Sequence, residues 1–379
     1  MAQKNIIIIC GEASGDLNAA TIAKEILKLN RDIKIYAVGG ELLRSAGAQI
    51  LYDIKELSVM GLFDVLKKLP KFFALKRFLL EKIREIKPQA LIFVDFSGFN
   101  LRFAKEINNT IPAIYYISPQ VWASRQGRIK TLRKYISKII VLFRFEEEFY
   151  KKHGVNVDFT GHPLVDIVKA TMDKKELLSS LKFLETKITI ALLPGSRKQE
   201  IVKILPVMLK TARIIGKRIA AQFVIAKSPN VGWDIYDRII KKFSLDLRVL
   251  EGKTYDCLNI SFFALVASGT ATLEAAMMQK PFVIIYKMSL LNYILYRPQI
   301  KIPYIGMVNI IAKRKIIPEF IQLKASPKRI SAEVLRILKN QTELEEMKNN
   351  LGLVKSSLGE PGAGLRAAQI IINFLFPHL

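Results

Sequence analysis

The sequence predicts an α/β protein of two domains, each built on a parallel sheet with helices on its faces. Short apolar runs without charge, such as Ile188–Leu193 and Phe263–Ala267, suit strands that are buried on both faces. Helix-forming stretches follow these runs, and the alternation recurs along both halves of the 379-residue chain. Two domains of this kind predict a cleft between them in which two ligands meet.

The domain boundaries follow from the places where the alternation pauses. Residues 1–168 form the first predicted domain and residues 187–355 the second, with a charged stretch between them. Residues 356–379 are predicted to form a loop and a terminal helix. A chain of this length allows two to three domains, so the division is within the expected range.

Composition narrows the function classes. The net charge of +26 predicts an anionic partner, which is nucleic acid, an acidic membrane surface or a phosphorylated substrate. No nucleic-acid-binding signature accompanies the charge, and three histidines with two cysteines form no metal-ligand pattern. No apolar run reaches the roughly 18 residues of a membrane span. Cys10 and Cys257 lie in apolar segments, which predicts buried thiols and a cytoplasmic protein.

Two small-residue turns predict a diphosphate site in the second domain. Each follows a strand and precedes a helix, so that backbone N–H groups and the positive helix end face an anion. Arg197 adds a fork-shaped donor, and Glu274 lies one helical turn on, within reach of a sugar hydroxyl. The alternative is a plain β–turn–α crossover with a capping serine. The candidate residues are Gly195, Ser196, Arg197, Ser268, Gly269, Thr270, Ala271 and Glu274.

In the first domain, Asp95 is the candidate general base, because it ends a strand and ligands bind open α/β sheets at that edge. The alternative is an aspartate that caps the next helix. Glu12 is its rival, since it too follows a strand. Trp122 with Arg125 and Arg128 offers a flat ring and two cations for a phosphorylated sugar.

A basic, phenylalanine-bearing segment occupies residues 61–87. Its apolar residues recur at helical spacing, although Pro70 must open a new helix or kink one. Such a segment is typical of a helix in an anionic membrane interface, and the alternative is a surface helix that covers the sheet. The residues predicted to contact the membrane are Leu69, Phe72, Phe73, Lys76 and Arg77.

Taken together, six motifs resemble the lipid-A-disaccharide synthase family of inverting GT-B glycosyltransferases. They occupy residues 11–16 (GEASGD), 118–122 (SPQVW), 161–166 (GHPLVD), 193–197 (LPGSR), 268–274 (SGTATLE) and 303–309 (PYIGMVN). The resemblance implies a GT-B fold, with two Rossmann-like domains that face a cleft and a C-terminal helix. It also implies that this helix crosses back or is exchanged within a homodimer.

The resemblance further implies transfer of 2,3-diacylglucosamine from its UDP derivative to 2,3-diacylglucosamine 1-phosphate, without a metal or other cofactor. The products would be the β-1,6-linked disaccharide 1-phosphate and UDP, made at the inner face of the inner membrane. Asp95 matches the family's proposed base, and Glu12 and Asn309 match polar positions, of which Asn309 is assigned to the UDP site. Ser14 and Gly15 fall in the motif assigned to the acceptor.

The chain departs from the family pattern at two positions, and two other function classes remain as alternatives. Gly98 stands where the family usually has a second acid, and Ser124 stands where an aromatic residue is common. A UDP-sugar 2-epimerase shares the architecture but has no need of basic, apolar surfaces. A nucleic-acid-binding protein would explain the charge but not the two diphosphate turns.

Overall fold

The computed structural model describes residues 4–57, 62–289, 293 and 302–377, with the backbone alone for residues 62–69. The chain divides into two compact units. One comprises Met1–Pro163 with Leu358–Leu379, and the other comprises Leu164–Ser357.

The first unit is a parallel sheet with helices. Its described strands are β1 (Lys4–Ile9), β2 (Ile33–Gly39), β3 (Gln49–Asp53), β4 (Ala90–Val94), β5 (Ala113–Tyr116), β6 (Lys138–Val141) and β7 (Val157–Phe159). They lie in the order β3-β2-β1-β4-β5-β6-β7, and every neighbouring pair is parallel. The helices are α1 (Ala13–Leu29), α2 (Glu41–Ser45), α3 (Leu62–Ile86), α4 (Ser97–Ile107), α5 (Ile129–Tyr135) and α6 (Arg144–Lys152). The central strands are buried because helices cover both faces of such a sheet.

The second unit repeats this plan. Its described strands are β8 (Ile188–Leu193), β9 (Ala221–Lys227), β10 (Leu247–Glu251), β11 (Phe263–Ala267), β12 (Phe282–Tyr286) and β13 (Glu319–Ile321), in the parallel order β10-β9-β8-β11-β12-β13. The helices are α7 (Leu164–Ile167), α8 (Lys174–Ser180), α9 (Lys198–Gly216), α10 (Trp233–Ile240), α11 (Thr254–Ile260), α12 (Thr270–Met277), α13 (Met307–Ile311), α14 (Pro327–Leu338) and α15 (Gln341–Ser357). The predicted α/β class with two parallel sheets is confirmed.

The chain returns to the first unit through its last helix, α16 (Ala363–Leu375), which packs against α1. A Cβ atom on Gly364 would lie 2.6 Å from Thr21 Cγ2, so glycine permits this close approach. The Arg366 guanidinium fixes the return, since it donates to the carbonyls of Thr160 at 2.9 Å and Pro361 at 2.7 Å. The terminal residues therefore complete the first unit.

Helix α3 is one continuous helix from Leu62 to Ile86, and Pro70 lies in its interior. Leu75 and Leu79 bury one side of it, whereas Phe73 is 64% exposed. Arg77 is exposed, and Lys76 pairs with Glu106 of α4 at 3.1 Å. The side chain of Leu69 lies outside the described residues. None of the described helices is both long and apolar enough to cross a membrane.

Candidate active site

The predicted ligand loops lie where the strand order reverses in each sheet. In the first unit the reversal falls between β1 and β4, which pair through Ile9 and Phe93. In the second it falls between β8 and β11, which pair through Leu193 and Val266. Open α/β sheets bind ligands beyond the carboxyl ends of strands at such switch points. Each unit therefore places its two predicted loops side by side at the position that favours ligand binding.

The Asp95 loop holds a strained backbone. Asp95 and Phe96 are consecutive non-glycine residues in the left-handed region, with φ of +50° and +48°. Two buried side chains hold the Asp95 carbonyl: the Tyr115 hydroxyl donates at 2.6 Å and Asn100 Nδ2 at 2.9 Å. The side chain of Asp95 itself is exposed. Neither Tyr115 nor Asn100 was among the predicted site residues.

An aromatic cluster adjoins this loop. The Phe96 ring stacks on Phe99 at 5.3 Å between centroids, and Phe72 of α3 lies 6.0 Å from Phe96. The Phe96 ring also lies so close to Gly11 that a Cβ atom there would collide with it. Phe72, predicted to face the membrane, thus packs beside the Asp95 loop in this structure.

The loop after β1 presents Glu12 and Ser14 to solvent, while Gly15 is buried. A Cβ atom on Gly15 would lie 3.1 Å from the Cβ atom of Cys10, so this glycine lets α1 pack closely on the strand end. Asp16, the last residue of this motif, holds the loop in place. Its carboxylate accepts hydrogen bonds from the backbone N–H groups of Gly40 at 2.7 Å and Leu42 at 3.0 Å, which ties the loop to the end of β2.

Trp122 is buried, and its Nε1 donates to Glu146 Oε1 at 2.9 Å. Burial raises the pKa of the Glu146 carboxyl to about 7, even though this bond favours the ionised form. The ring that the sequence offers to a sugar is therefore packed beneath the loop that follows β5. Nothing in the sequence near Trp122 signals this contact, because Glu146 lies 24 residues further on.

The two arginines of this loop remain near the Asp95 side of the sheet. Arg128 donates to Ser97 Oγ at 3.2 Å, and Ser97 begins α4 two residues after Asp95. Burial lowers the pKa of Arg128, and the neighbouring charge of Arg125 lowers it further. Arg125 is exposed with φ of +52°. Two guanidinium groups close enough to repel each other form an environment that suits a phosphate.

The first predicted donor turn of the second unit follows β8. Gly195 has φ of +105°, and a Cβ atom there would collide with the Glu200 carboxylate. That carboxylate accepts from the Ser196 N–H at 3.2 Å. Ser196 and Arg197 are exposed at the start of α9. Only glycine combines this backbone conformation with the close carboxylate.

The second predicted donor turn follows β11. Gly269 has φ of +143° and precedes α12 without a side-chain cap, so no side chain of its own covers the first N–H groups of this helix. Ser268 is half-buried, Thr270 is exposed and Ala271 is half-buried. The Tyr255 hydroxyl lies 3.4 Å from Glu274 Oε1. Burial raises the pKa of Glu274, and Tyr255 partly offsets this rise.

Asn309 is fully buried and its amide is used locally. Its Oδ1 accepts from the N–H groups of Ile316 and Ile317 at 2.9 Å each, and its Nδ2 donates to Glu319 Oε1 at 2.8 Å. Glu319 also accepts from Gly306 N at 2.9 Å. In this structure Asn309 therefore shapes the turn that contains α13. Among the described residues, no three His, Cys, Asp or Glu side chains form a group that could hold a metal ion.

Comparison with known proteins decides the family. A family model described as lipid-A-disaccharide synthetase matches residues 6–368. The chain belongs to the lipid-A-disaccharide synthase family. It is similar to the lipid-A-disaccharide synthase of Syntrophus aciditrophicus (strain SB), with 40% identity over 99% of each chain. Its similarity to the Anaeromyxobacter dehalogenans (strain 2CP-1) synthase is 38% over 98% of this chain and 97% of the relative. As a family member, the chain is a glycosyltransferase of lipid A biosynthesis.

Solved structures agree with the predicted GT-B fold. The Neisseria meningitidis UDP-GlcNAc 2-epimerase bound to UDP-GlcNAc has a TM-score of 0.63 at 13% identity, over 99% of this chain and 100% of the other. The calicheamicin glycosyltransferase CalG4 has a TM-score of 0.60 at 14% identity, over 100% of each chain. Glycosyltransferases and UDP-sugar epimerases thus share this architecture. The family match favours the transferase over the epimerase and nucleic-acid-binding alternatives.

Proposed function

We propose that this glycosyltransferase transfers 2,3-diacylglucosamine from UDP-2,3-diacylglucosamine to 2,3-diacylglucosamine 1-phosphate, with Asp95 as the general base. The products are the β-1,6-linked disaccharide 1-phosphate and UDP. The observation that carries the assignment of the base is the Asp95 loop: an exposed carboxylate on a left-handed backbone held by two buried side chains. Strained backbone persists where the surroundings enforce it, and such sites concentrate at functional positions.

The reaction needs a base because an inverting transfer joins an acceptor hydroxyl to the anomeric carbon in one displacement. The acceptor 6-oxygen forms a bond to that carbon as the bond to the UDP oxygen breaks, and UDP leaves with the electron pair. The hydroxyl proton passes to the Asp95 carboxylate, and general-base catalysis of this kind is worth 10²–10⁴-fold in rate. Glu12, which is exposed at the neighbouring strand end, is the rival for this role.

The second unit supplies the donor site in this proposal. The uncapped first turn of α12 presents backbone N–H groups to the diphosphate, and the Ser196 N–H of the Gly195 turn exchanges its Glu200 partner for the diphosphate when the donor binds. Arg197 contributes a charge-assisted contact, and Glu274 accepts from a ribose hydroxyl. The remaining donor contacts are assigned to Ser196, Ser268, Gly269, Thr270 and Ala271. Asn309 acts through the turn that it holds rather than through direct contact.

The first unit supplies the acceptor site. Arg125 and Arg128 bind the 1-phosphate, since Arg128 reaches Ser97 at the start of α4. The Phe72, Phe96 and Phe99 cluster offers an apolar surface beside Asp95 for the acyl chains. Ser14 and Gly15 shape the adjacent loop, and Trp122 supports it from beneath. An acylated sugar phosphate combines the two chemistries that this edge of the sheet offers.

The first experiment asks which reaction occurs. We incubate the full chain with UDP-2,3-diacylglucosamine and diacylglucosamine 1-phosphate and follow UDP and disaccharide. Equal release of both products is expected. A parallel incubation with UDP-N-acetylglucosamine should give no epimer. Epimerisation without disaccharide formation would overturn the proposed reaction.

The second experiment assigns the base. Asp95→Asn should lower turnover by about 10²–10⁴-fold, because the amide cannot take the proton, while UDP binding persists. Glu12→Gln is the matched variant on the neighbouring loop and should retain far more turnover. If Asp95→Asn stays near the parent rate and Glu12→Gln does not, the base is Glu12.

The third experiment concerns the donor site. Loss of a charge-assisted contact should weaken UDP binding by about 1.5–3 kcal/mol in Arg197→Ala and Glu274→Ala, measured by calorimetry. Lys198→Ala removes one positive charge at the adjacent exposed position and serves as the control. Unchanged UDP affinity in the Arg197 and Glu274 variants would return both residues to a structural role.

Membrane attachment through α3 is the last part of the proposal, and it places the protein in the cytoplasm on the inner face of the inner membrane. Phe73 and Arg77 are exposed on this helix, and each basic residue near an anionic surface contributes about 1 kcal/mol. Flotation with anionic vesicles should fall in high salt and in Phe73→Ser, and equal flotation with neutral vesicles would contradict the electrostatic part.

Sedimentation tests the proposed homodimer separately.

A further inference from the structure

A cavity of the second unit lies away from the proposed donor turns. It has a volume of about 590 Å³ and opens at the amino ends of the strands, where β8, β9, β11 and β12 begin. The donor turns lie at the carboxyl ends of β8 and β11. The six residues of β8 span roughly 17–20 Å at about 3.3 Å per residue, so the two sites are on opposite edges of the sheet.

The lining of this cavity is strongly basic. Five lysines contribute to it, and Glu185 is the one acid among the described lining residues; the lysines are Lys174, Lys175, Lys187, Lys280 and Lys348. Burial, together with the charges of Lys174 and Lys348, lowers the pKa of Lys280 to about 8. Two of the five already have a carboxylate partner, since Lys187 pairs with Asp246 at 3.1 Å and Lys348 with Glu345 at 2.8 Å. The charges of Lys174 and Lys348 still repel that of Lys280, and an anion in the cavity would relieve this repulsion.

The floor of the cavity is preformed. Gln222 Nε2 donates to Thr189 Oγ1 at 2.9 Å and to the Leu184 carbonyl at 3.0 Å, and its Oε1 accepts from Leu184 N at 3.0 Å. Lys280 is fixed by donation to the Asn259 carbonyl at 3.1 Å. Phe262, 41% exposed, provides an apolar wall. A rigid floor, convergent cations and an apolar wall are the features of a small-molecule site.

We propose that this lysine-lined cavity binds a phosphate-bearing ligand at a site separate from the donor turns. The volume falls within the range of about 300–1,000 Å³ that is typical of ligand sites, so it holds more than a single phosphate ion. Phosphate esters and diphosphates satisfy several ammonium groups at once, whereas a carboxylate satisfies fewer. The source of the phosphate is either a soluble diphosphate or a lipid headgroup, whose glycerol and acyl carbons would contact Phe262.

Calorimetry on the full chain with saturating UDP tests the proposal, because UDP occupies the donor turns. The two probes are inorganic pyrophosphate and dihexanoyl phosphatidic acid. Binding of at least one is expected, with a loss of roughly ten-fold or more in affinity in Lys280→Gln and Lys174→Gln. Lys174 is exposed, so its replacement does not endanger folding. Lys217→Gln, an exposed lysine outside the lining, is the control with the same change in charge.

The two probes distinguish the ligand sources. Tighter binding of the lipid, with further loss in Phe262→Ser, identifies a lipid phosphate, and tighter binding of pyrophosphate identifies a soluble one. Binding of neither probe overturns the proposal, as does binding that Lys280→Gln and Lys217→Gln weaken equally. UDP affinity should be unchanged in the Lys280 and Lys174 variants, so this result is independent of the proposed function.

Discussion

Removal of the Tyr115 hydroxyl is the sharpest test of how the backbone conformation of the Asp95 loop is stabilised. Tyr115→Phe deletes the 2.6 Å hydrogen bond to the Asp95 carbonyl and leaves the ring packed against Phe93 at 5.8 Å. The Asn100 bond to the same carbonyl remains. The carboxylate of Asp95 is untouched by the substitution, so any effect on rate comes through the backbone conformation.

The magnitude follows from a balance of strain against hydrogen bonds. Two non-glycine residues in the left-handed region cost about 1–2 kcal/mol each. The two hydrogen bonds to the Asp95 carbonyl contribute about 0.5–1.5 kcal/mol each. These opposing amounts are similar, so the loss of about 1 kcal/mol shifts the loop toward relaxed conformations. A shift of that size corresponds to roughly a five-fold fall in kcat.

The assay is steady-state turnover with both substrates, alongside UDP affinity and thermal unfolding. We expect kcat to fall about five-fold while UDP affinity is unchanged, because the proposed donor site belongs to the second unit. Tyr116→Phe is the matched control: this neighbouring tyrosine is equally buried, and its hydroxyl has no hydrogen-bond partner among the described residues. Equal kcat in the Tyr115 and Tyr116 variants would refute the positioning role of Tyr115.

Three further substitutions test groups around the site. The folded protein keeps the Glu146 proton up to about pH 7, whereas the unfolded chain releases it near 4.5, so stability falls as pH rises through that window. Glu146→Gln keeps an acceptor for Trp122 and should gain about 3 kcal/mol in urea unfolding at pH 8 but little at pH 4. Burial lowers the pKa of His162 to about 4, so the free energy of unfolding falls as pH drops from 6.5 toward 4. His162→Phe should reduce this fall. A pH profile of stability that is unchanged in the Glu146 or the His162 variant would contradict the titration assigned to that residue. Gly98 has open space around it in the first turn of α4, so Gly98→Asp should stabilise by about 0.5–1 kcal/mol, and destabilisation would contradict this.

Local sequence predicted the central strands well because their burial on both faces demands uncharged apolar runs. It did not indicate β3, β7 or β13, which lie at or near sheet edges and have only partly buried, mixed sequences. The strand order was also beyond local patterns. The pairing of β1 with β4 joins residues 84 apart, across three α-helices and two other strands, and no local periodicity encodes that separation.

The site was predictable where a motif carries its own geometry. Glycine at 195 and 269 is required by positive φ values, and such glycines stand out in a sequence. The supports of the site were not predictable, because they come from elsewhere in the fold. In the sequence, Tyr115 looks like one more residue of an apolar strand. Its contact with the Asp95 carbonyl follows only from the pairing of β5 with β4. The hydrogen bonds that the Asn309 Oδ1 accepts from Ile316 and Ile317 likewise depend on a turn that no local pattern indicates.

The architecture by itself does not choose between a transferase and an epimerase, since solved structures of both kinds resemble the chain at 13–14% identity. The chemistry separates them. An epimerase inverts a carbon of the sugar that already carries UDP, so it needs no base for a second substrate. A transferase needs one, placed where an acceptor binds. The exposed Asp95 carboxylate, its strained backbone and the phenylalanine cluster beside it belong to the first unit, whereas both proposed diphosphate turns belong to the second. This arrangement supports the proposal that the enzyme activates a second, apolar substrate.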